Sequence, residues 1–464
     1  MGNDSPTTQS QDGTTSIVVV ADDDLESVRS CLAAIERHTI PGCYELIVVT
    51  SSRDSSVSEW LSIQDGLTHV VTEPGTGSSG ALNAGIASAS CGNVLLLSSG
   101  VVVPSGYLPA MLAALHSEPA VGAVGPVMDG VPGQMPQSCY PLTDTHDEVP
   151  GPASDRPSRW DRRLRLSSRC LLVKREILDS LGSFDGAYRS SSLHDDDLSF
   201  RMITSGLTLL LVRDVFAESA CHPPPSPNSP GPMIERERRH FARLWGIDPT
   251  YSTIQRSEVV ALLDPPPPGT TLRVLEVGCA AGATLLEIKN RFPTTELYGI
   301  EKNDGAAAIG GHFADIRSTD AEAGLDYPNE FFDYVITADV LEHLVDPWRV
   351  VAAIRPHLKE SGKLIASIPN IMHFSVMRSL VNGRFAYADA GILDRTHLRF
   401  FTLREIDALF ATAGYGSRSY TATAVPATDD DLLFVNALKE LATINASDQF
   451  LAYQYLAAVA KSPA

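Results

Sequence analysis

The run Val274-Leu-Glu-Val-Gly-Cys-Ala-Ala-Gly282 limits what this chain can fold into more than any other stretch. A short apolar strand meets small residues and passes directly into helix-spaced positions. Glycine permits the tight turn, and the small side chains of Ala280 and Ala281 let a ligand approach the backbone closely. The next apolar segment ends in Glu301, roughly twenty residues after the turn, where a carboxylate can accept both hydroxyls of a ribose. The turn alone fits an ordinary strand-helix corner equally well. The order of the elements carries the reading: Ala314-Asp315 follows, read as a strand end whose acid takes an adenine amine, and then the buried strand 332–336.

Around this unit the spacing predicts strands at 273–277, 296–300, 332–336 and 363–368. The first half repeats the rhythm independently, with strands at 16–20, 46–49 and 94–97 and helices at 25–36 and 107–116. Alternation of this kind implies mostly parallel sheets with helices on their faces, an α/β class. At 464 residues the chain exceeds one ordinary core, and about 150 residues per domain suggests two folded units. Proline clusters at 223–232 and 265–268 read as extended spacers. The expected organisation is a disordered start (1–15), a first domain (16–222), a proline-rich linker with a connecting helix (223–264) and a second domain (265–464).

A hydrophobic fraction of 44% with 20% charged residues belongs to folded chains. The net charge of −20 repels phosphate backbones and anionic lipid surfaces, so a small molecule is the expected partner rather than nucleic acid. Seven cysteines stand singly, without metal-ligand spacing, as expected of reduced thiols. No apolar run reaches the ~20 residues of a membrane helix. A cytoplasmic protein is expected; no motif encodes its oligomeric state.

Beyond the turn, the patterns Asp339-Val-Leu-Glu342-His343-Leu-Val-Asp346-Pro347, Ser367-Ile-Pro369-Asn370 and Gly391-Ile-Leu-Asp394-Arg-Thr396-His397-Leu-Arg399-Phe-Phe resemble a bacterial group of class I S-adenosylmethionine-dependent methyltransferases. The similarity covers 274–459. It implies a Rossmann-like sheet of seven strands with S-adenosylmethionine at the carboxyl ends of the first strands. The expected cosubstrate contacts are Glu276, Gly278, Cys279, Ala280, Gly282, Glu301, Asp315 and Asp339; Ala280 replaces the family's usual middle glycine. For an oxygen or nitrogen acceptor a base is needed, and His343 and His397 are the candidates, since imidazole titrates near neutrality. A structural His397 bonded to a backbone carbonyl is an equal alternative. Asp339, Glu342 and His343 also resemble a cluster that some ubiquinone-pathway O-methyltransferases use for a divalent ion. A capped helix start accounts for the same residues, and no metal is assigned.

The first half resembles family 2 glycosyltransferases of the GT-A fold, with a mixed sheet. The resemblance rests on 18–28, Ala81-Leu-Asn83-Ala-Gly85-Ile86, Gly182-Ser-Phe184-Asp185, His194-Asp195-Asp-Asp197-Leu-Ser-Phe-Arg201 and His222. Such enzymes place a metal-binding acid pair after the central strand, but here Ser98 and Gly100 occupy those places and cannot supply the carboxylate oxygens a hard cation prefers. Thr50 stands where a uracil-contacting acid is expected. Asp195 matches the general-base position, although Asp195-Asp196-Asp197 also reads as an acid cluster at a helix start. Asp22, Asp23 and Asp24 read first as a helix start. The resulting expectation is a methyltransferase acting on a sugar-bearing or small natural-product acceptor, with a degenerate glycosyltransferase-like half. The alternatives are two active transferases, or a scaffold without turnover.

Overall fold

The structure, a computed structural model, describes residues 14–51, 55–135, 159–189, 192–219, 231–442 and 449–462. The start up to residue 13, His222 and most of the first proline cluster lie outside the described residues. Two compact units meet in sequence at Thr253 and Ile254.

The first unit contains β1 (Thr15–Val20), β2 (Tyr44–Thr50), β3 (Thr68–Val71), β4 (Asn93–Ser98), β5 (Val101–Val102), β6 (Val121–Val127), β7 (Trp160–Arg163), β8 (Cys170–Lys174), β9 (Thr208–Phe216) and β10 (Glu218–Ser219). Eight of them form a mixed sheet in the order β3-β2-β1-β4-β8-β6-β9-β7, and β5 pairs with β10. β1, β2, β3 and β4 are parallel, whereas β8 runs against both β4 and β6. β4 is apolar along almost its whole length because it is covered on both faces. Helices Leu25–His38 and Tyr107–Leu115 cover this sheet through Val28, Cys31, Ile35, Tyr107, Met111 and Leu115.

The helix Pro232–Trp245, expected as a connector, is built into this first unit. Proline opens it and Gly246, at φ 70°, closes it. Phe241, fully buried, packs on Phe200 and Tyr188, and the Trp245 indole donates to Asp197 at 3.0 Å. The chain from Ser257 onward belongs to the second unit, where Val259, Val260 and Leu263 are buried. The segment expected as a connecting helix between the two proline spacers therefore supplies core residues to each unit.

The second unit contains β11 (Arg273–Val277), β12 (Glu296–Glu301), β13 (Asp315–Ser318), β14 (Phe332–Ala338), β15 (Leu358–Pro369), β16 (Tyr415–Ala424) and β17 (Ala452–Lys461). They form one sheet in the order β13-β12-β11-β14-β15-β17-β16. The first five are parallel, and β17 is antiparallel to both β15 and β16. The chain moves outward from β11 through β12 to β13, then returns to the other side of β11 as β14. The carboxyl ends of β11 and β14 thus flank a topological switch point, where open α/β sheets bind ligands.

Candidate cosubstrate site

Val277 ends β11, and the next residues turn on left-handed backbone: Gly278 at φ 71°, Ala280 at φ 48° and Gly282 at φ 84°. A Cβ on Gly278 would lie 2.6 Å from Val340 Cγ2, and one on Gly282 would lie 2.8 Å from the Phe313 ring. Both glycines are therefore required by conformation and by space. Ala280 adopts the left-handed conformation without glycine's freedom, at a cost of about 1–2 kcal/mol. Two bonds to the Ile300 carbonyl, from Gly278 N at 2.7 Å and Cys279 N at 3.2 Å, fasten the turn to β12. Cys279 is buried against the space left by Gly299 and lines the turn's underside, its thiol pushed well up by desolvation.

Glu301 closes this turn. Its Oε2 accepts the Ala280 amide at 2.8 Å and its Oε1 accepts the Asn303 amide at 2.7 Å. A carboxylate offers about four acceptor positions, so room for two ribose hydroxyls remains. Glu276, within β11, is 3% exposed, and its Oε2 lacks a partner among the described residues. Desolvation pushes its carboxyl up to about 8, opposed by Thr284 and by the Arg256 charge.

Asp339, at φ 52° beyond β14, accepts from Ser367 Oγ at 2.8 Å and from Gln454 Nε2 at 2.8 Å. Its other oxygen pairs with the Arg256 guanidinium. Arg256 also meets Ser367 Oγ at 3.0 Å, Gln454 at 3.3 Å and Glu258. This cation was not singled out from sequence, and it stands at the switch point beside Glu276 and Asp339. Its only sequence signal is an arginine just upstream of β11, and only folding brings it to these distant partners.

Asp315 requires a correction. It opens β13 rather than ending it, opposite Tyr298 near the amino end of β12, while Glu301 pairs with Ser318. It lines a separate open depression with Lys289, Glu296 and His312. The acid at the carboxyl end is Asp320, which accepts the Glu322 amide at 2.9 Å and Lys302 Nζ at 2.8 Å; the lysine holds its carboxyl below the usual range. The backbone joins Asp320's neighbour to Glu301 directly, through Thr319 N to Glu301 O at 3.0 Å.

The helical turn expected at 339–343 is also corrected. Asp339 lies on left-handed backbone, Leu341–His343 is a short 3-10 turn, and Asp339 is committed to Arg256. His397 takes its place beside Glu342 and His343, with donor atoms of all three within 4.8 Å of one another. The two imidazole rings are 4.7 Å apart, edge to face. Glu342 is 1% exposed, and among the described residues neither carboxyl oxygen has a hydrogen-bond partner. His397 Nδ1 meets the Ile392 carbonyl at 2.9 Å, and His343 Nδ1 meets the Thr396 carbonyl at 3.3 Å. The structural contact expected for His397 is therefore present. Burial, then the neighbouring His397, lowers the His343 pKa.

A model of the methyltransferase domain matches residues 234–419, and a model of glycosyltransferase like family 2 matches residues 12–242. The chain joins a class I S-adenosylmethionine-dependent methyltransferase domain to a family 2 glycosyltransferase-like domain. The methyltransferase half is 25% identical over 181 residues to malonyl-[acyl-carrier protein] O-methyltransferase of Geobacter sulfurreducens, covering 38% of this chain and 67% of that protein. It is 30% identical over 161 residues to ubiquinone biosynthesis O-methyltransferase of Dinoroseobacter shibae, covering 33% and 63%. The chain thus spans about two thirds of the length of these curated relatives. A crystal structure of GalNAc-T7 with UDP, GalNAc and Mn2+ aligns at 15% identity and TM-score 0.37, over 44% of this chain and 43% of that one.

In the glycosyltransferase-like domain, Ser98 ends β4 and Ser99 Oγ accepts the Asp22 amide at 3.0 Å. Thr50 Oγ1 is bonded to Ser58 and His69 at 3.0 and 2.9 Å. Asp24 caps helix Leu25–His38, as a helix start requires. Asp195 is 5% exposed and accepts Ser167 Oγ at 2.8 Å and Ser168 N at 2.9 Å. Its carboxylate is engaged in tying helix Leu193–Thr204 to the 167–168 turn. Beside it, burial pushes Asp196 up to about 6, against the pull of Arg165. Among the described residues no helix is long and apolar enough to cross a membrane.

Proposed function

We propose that the methyltransferase domain moves the S-adenosylmethionine methyl group to a hydroxyl of a small, sugar-bearing or natural-product acceptor. The observation that carries this reading is Glu301, held at the lip of the left-handed turn by the Ala280 amide and retaining free acceptor positions for a ribose. Asp320 is placed for the adenine amine. Arg256 offers a guanidinium to the methionine carboxylate, and Asp339 or Glu276 then receives its ammonium. In the transfer, the acceptor oxygen bonds the methyl carbon and the sulfonium S–C pair stays on sulfur. The hydroxyl proton leaves on the side of the His343 and His397 rings. The domain's main contribution is alignment.

We further propose that the glycosyltransferase-like domain binds or docks the acceptor without transferring sugar. Its support is the set of neutral groups at Ser98, Gly100 and Thr50. Calorimetry of S-adenosylmethionine uptake, with release of S-adenosylhomocysteine on adding acceptor extracts, tests the first proposal; no uptake by pure protein would end it. For the docking role, residues 254–464 alone should take up cosubstrate normally and methylate poorly, and full activity from that piece would contradict it.

A further inference from the structure

The sequence leaves both His343 and His397 as candidates for a base, and the partners of their ring nitrogens separate them. Main chain fastens the segment 394–399 to the Leu341–His343 turn: the Leu398 and Arg399 amides both donate to the Glu342 carbonyl, at 2.8 and 3.0 Å. This clamp brings Thr396 against His343. His343 Nδ1 lies 3.1 Å from Thr396 Oγ1 and 3.3 Å from the Thr396 carbonyl. The Thr396 hydroxyl in turn donates to Asp394 Oδ1 at 2.7 Å, and the same carboxylate oxygen accepts the Thr396 amide at 2.8 Å. A turn closed by an aspartate side chain needs only the amide bond. The hydroxyl's two bonds, one to a buried carboxylate and one to an imidazole, go beyond it.

The direction of these bonds follows from their chemistry. An ionised carboxylate only accepts, so the Thr396 proton is committed to Asp394 and a hydroxyl lone pair faces the ring. A carbonyl also only accepts. Both partners of His343 Nδ1 are therefore acceptors, which places the ring proton on Nδ1 and leaves the Nε2 lone pair free. Among the described residues that Nε2 has no hydrogen-bond partner, and His343 is exposed. His397 also turns Nδ1 to a carbonyl, that of Ile392, but its ring is buried.

We propose that Thr396 and Asp394 are positioning residues that hold His343 in its Nδ1–H form, making His343 rather than His397 the base for the acceptor hydroxyl. The inference rests on the methyl-transfer reading. As the acceptor oxygen bonds the methyl carbon and the S–C pair stays on sulfur, the hydroxyl proton passes to His343 Nε2. The imidazolium keeps its Nδ1 proton against Thr396 Oγ1, with the Asp394 carboxylate next in the chain of bonds, and later releases the Nε2 proton to solvent.

The test labels the histidines of the full chain with nitrogen-15 and reads the His343 tautomer by long-range proton–nitrogen NMR at about pH 8, where an ordinary imidazole is neutral. His343→Gln identifies the signal. In the wild type Nε2 should be the bare nitrogen. Thr396→Val removes the nearer acceptor and should move the proton largely to Nε2, whereas Thr396→Ser should keep the wild-type form. In turnover of methyl-labelled S-adenosylmethionine with an acceptor extract, Thr396→Val should lower kcat at least ~10-fold, as part of the about 10²–10⁴-fold that a general base contributes. The KM for cosubstrate should not change. A wild-type ring protonated on Nε2, or Thr396→Val with the wild-type tautomer, would overturn the inference. Calorimetry of S-adenosylmethionine uptake on the same samples keeps the two readings apart. Uptake with the wrong tautomer removes only the positioning pair, and the expected tautomer without uptake upholds the pair and removes methyl transfer.

Discussion

Glu301 Oε2 receives the Ala280 amide at 2.8 Å, tying the acid that ends β12 to the left-handed turn that ends β11. One carboxylate therefore shapes the turn and, on the proposed reading, also receives the ribose. Glu301→Ala should lower S-adenosylmethionine affinity at least ~10-fold, since one hydrogen bond to a charged group contributes about 1.5–3 kcal/mol. Calorimetry reads the change; unaltered affinity would remove Glu301 from the site.

Gly278→Ala places a methyl group 2.6 Å from Val340 Cγ2 on backbone at φ 71°. Destabilisation of at least about 1–2 kcal/mol is expected from the backbone alone, visible as a lower denaturant midpoint. Ala280→Gly at φ 48° should do the opposite, raising the midpoint slightly, because the strain there is relieved.

The carboxyl of Glu276, desolvated in β11, is raised to about 8 from its ordinary 4.5. The native state therefore holds a proton that the unfolded chain releases between these values. Its contribution to stability is complete below about pH 4.5 and is lost as pH rises through about 8. Cosubstrate-free protein should lose part of its melting temperature between pH 5 and pH 8. Glu276→Gln, which mimics the protonated form, should lose less over the same range; equal losses would contradict the assignment.

Phe241 is fully buried against Phe200 and Tyr188. Phe241→Ala should destabilise the glycosyltransferase-like domain by ~3–5 kcal/mol. Ending that domain at residue 222 should impair its folding, whereas ending it at 253 should not. Limited proteolysis and circular dichroism of the two truncations decide this.

Titration of the full chain with UDP-, GDP- and TDP-sugars in the presence of manganese should produce no heat. The expectation follows from Ser98 and Gly100 after β4 and from Thr50, whose hydroxyl is already bonded to Ser58 and His69. Micromolar uptake of any of them would reverse the reading of this domain.

What was legible in the sequence was local. Strand periodicity, the glycines at 278 and 282 and the acid at 301 lie within one strand-turn-helix-strand unit, so spacing alone fixes their neighbourhood. Helices 25–38 and 107–115 were legible for the same reason, as each shows its buried face within a few turns. Asp315 was misplaced because sequence does not mark which end of a four-residue strand carries an acid; the parallel register with β12 decides it. Helix Pro232–Trp245 was legible as a helix, but its allegiance to Phe200 and Tyr188 was not. Arg256, Ser367 and Gln454 meet at Asp339 because the carboxyl ends of parallel β14 and β15 and the amino end of antiparallel β17 lie at one edge of the sheet, and the loops around Arg256 and His397 fold onto that edge. Residues distant in sequence become neighbours through that sheet order, and no local pattern records the order.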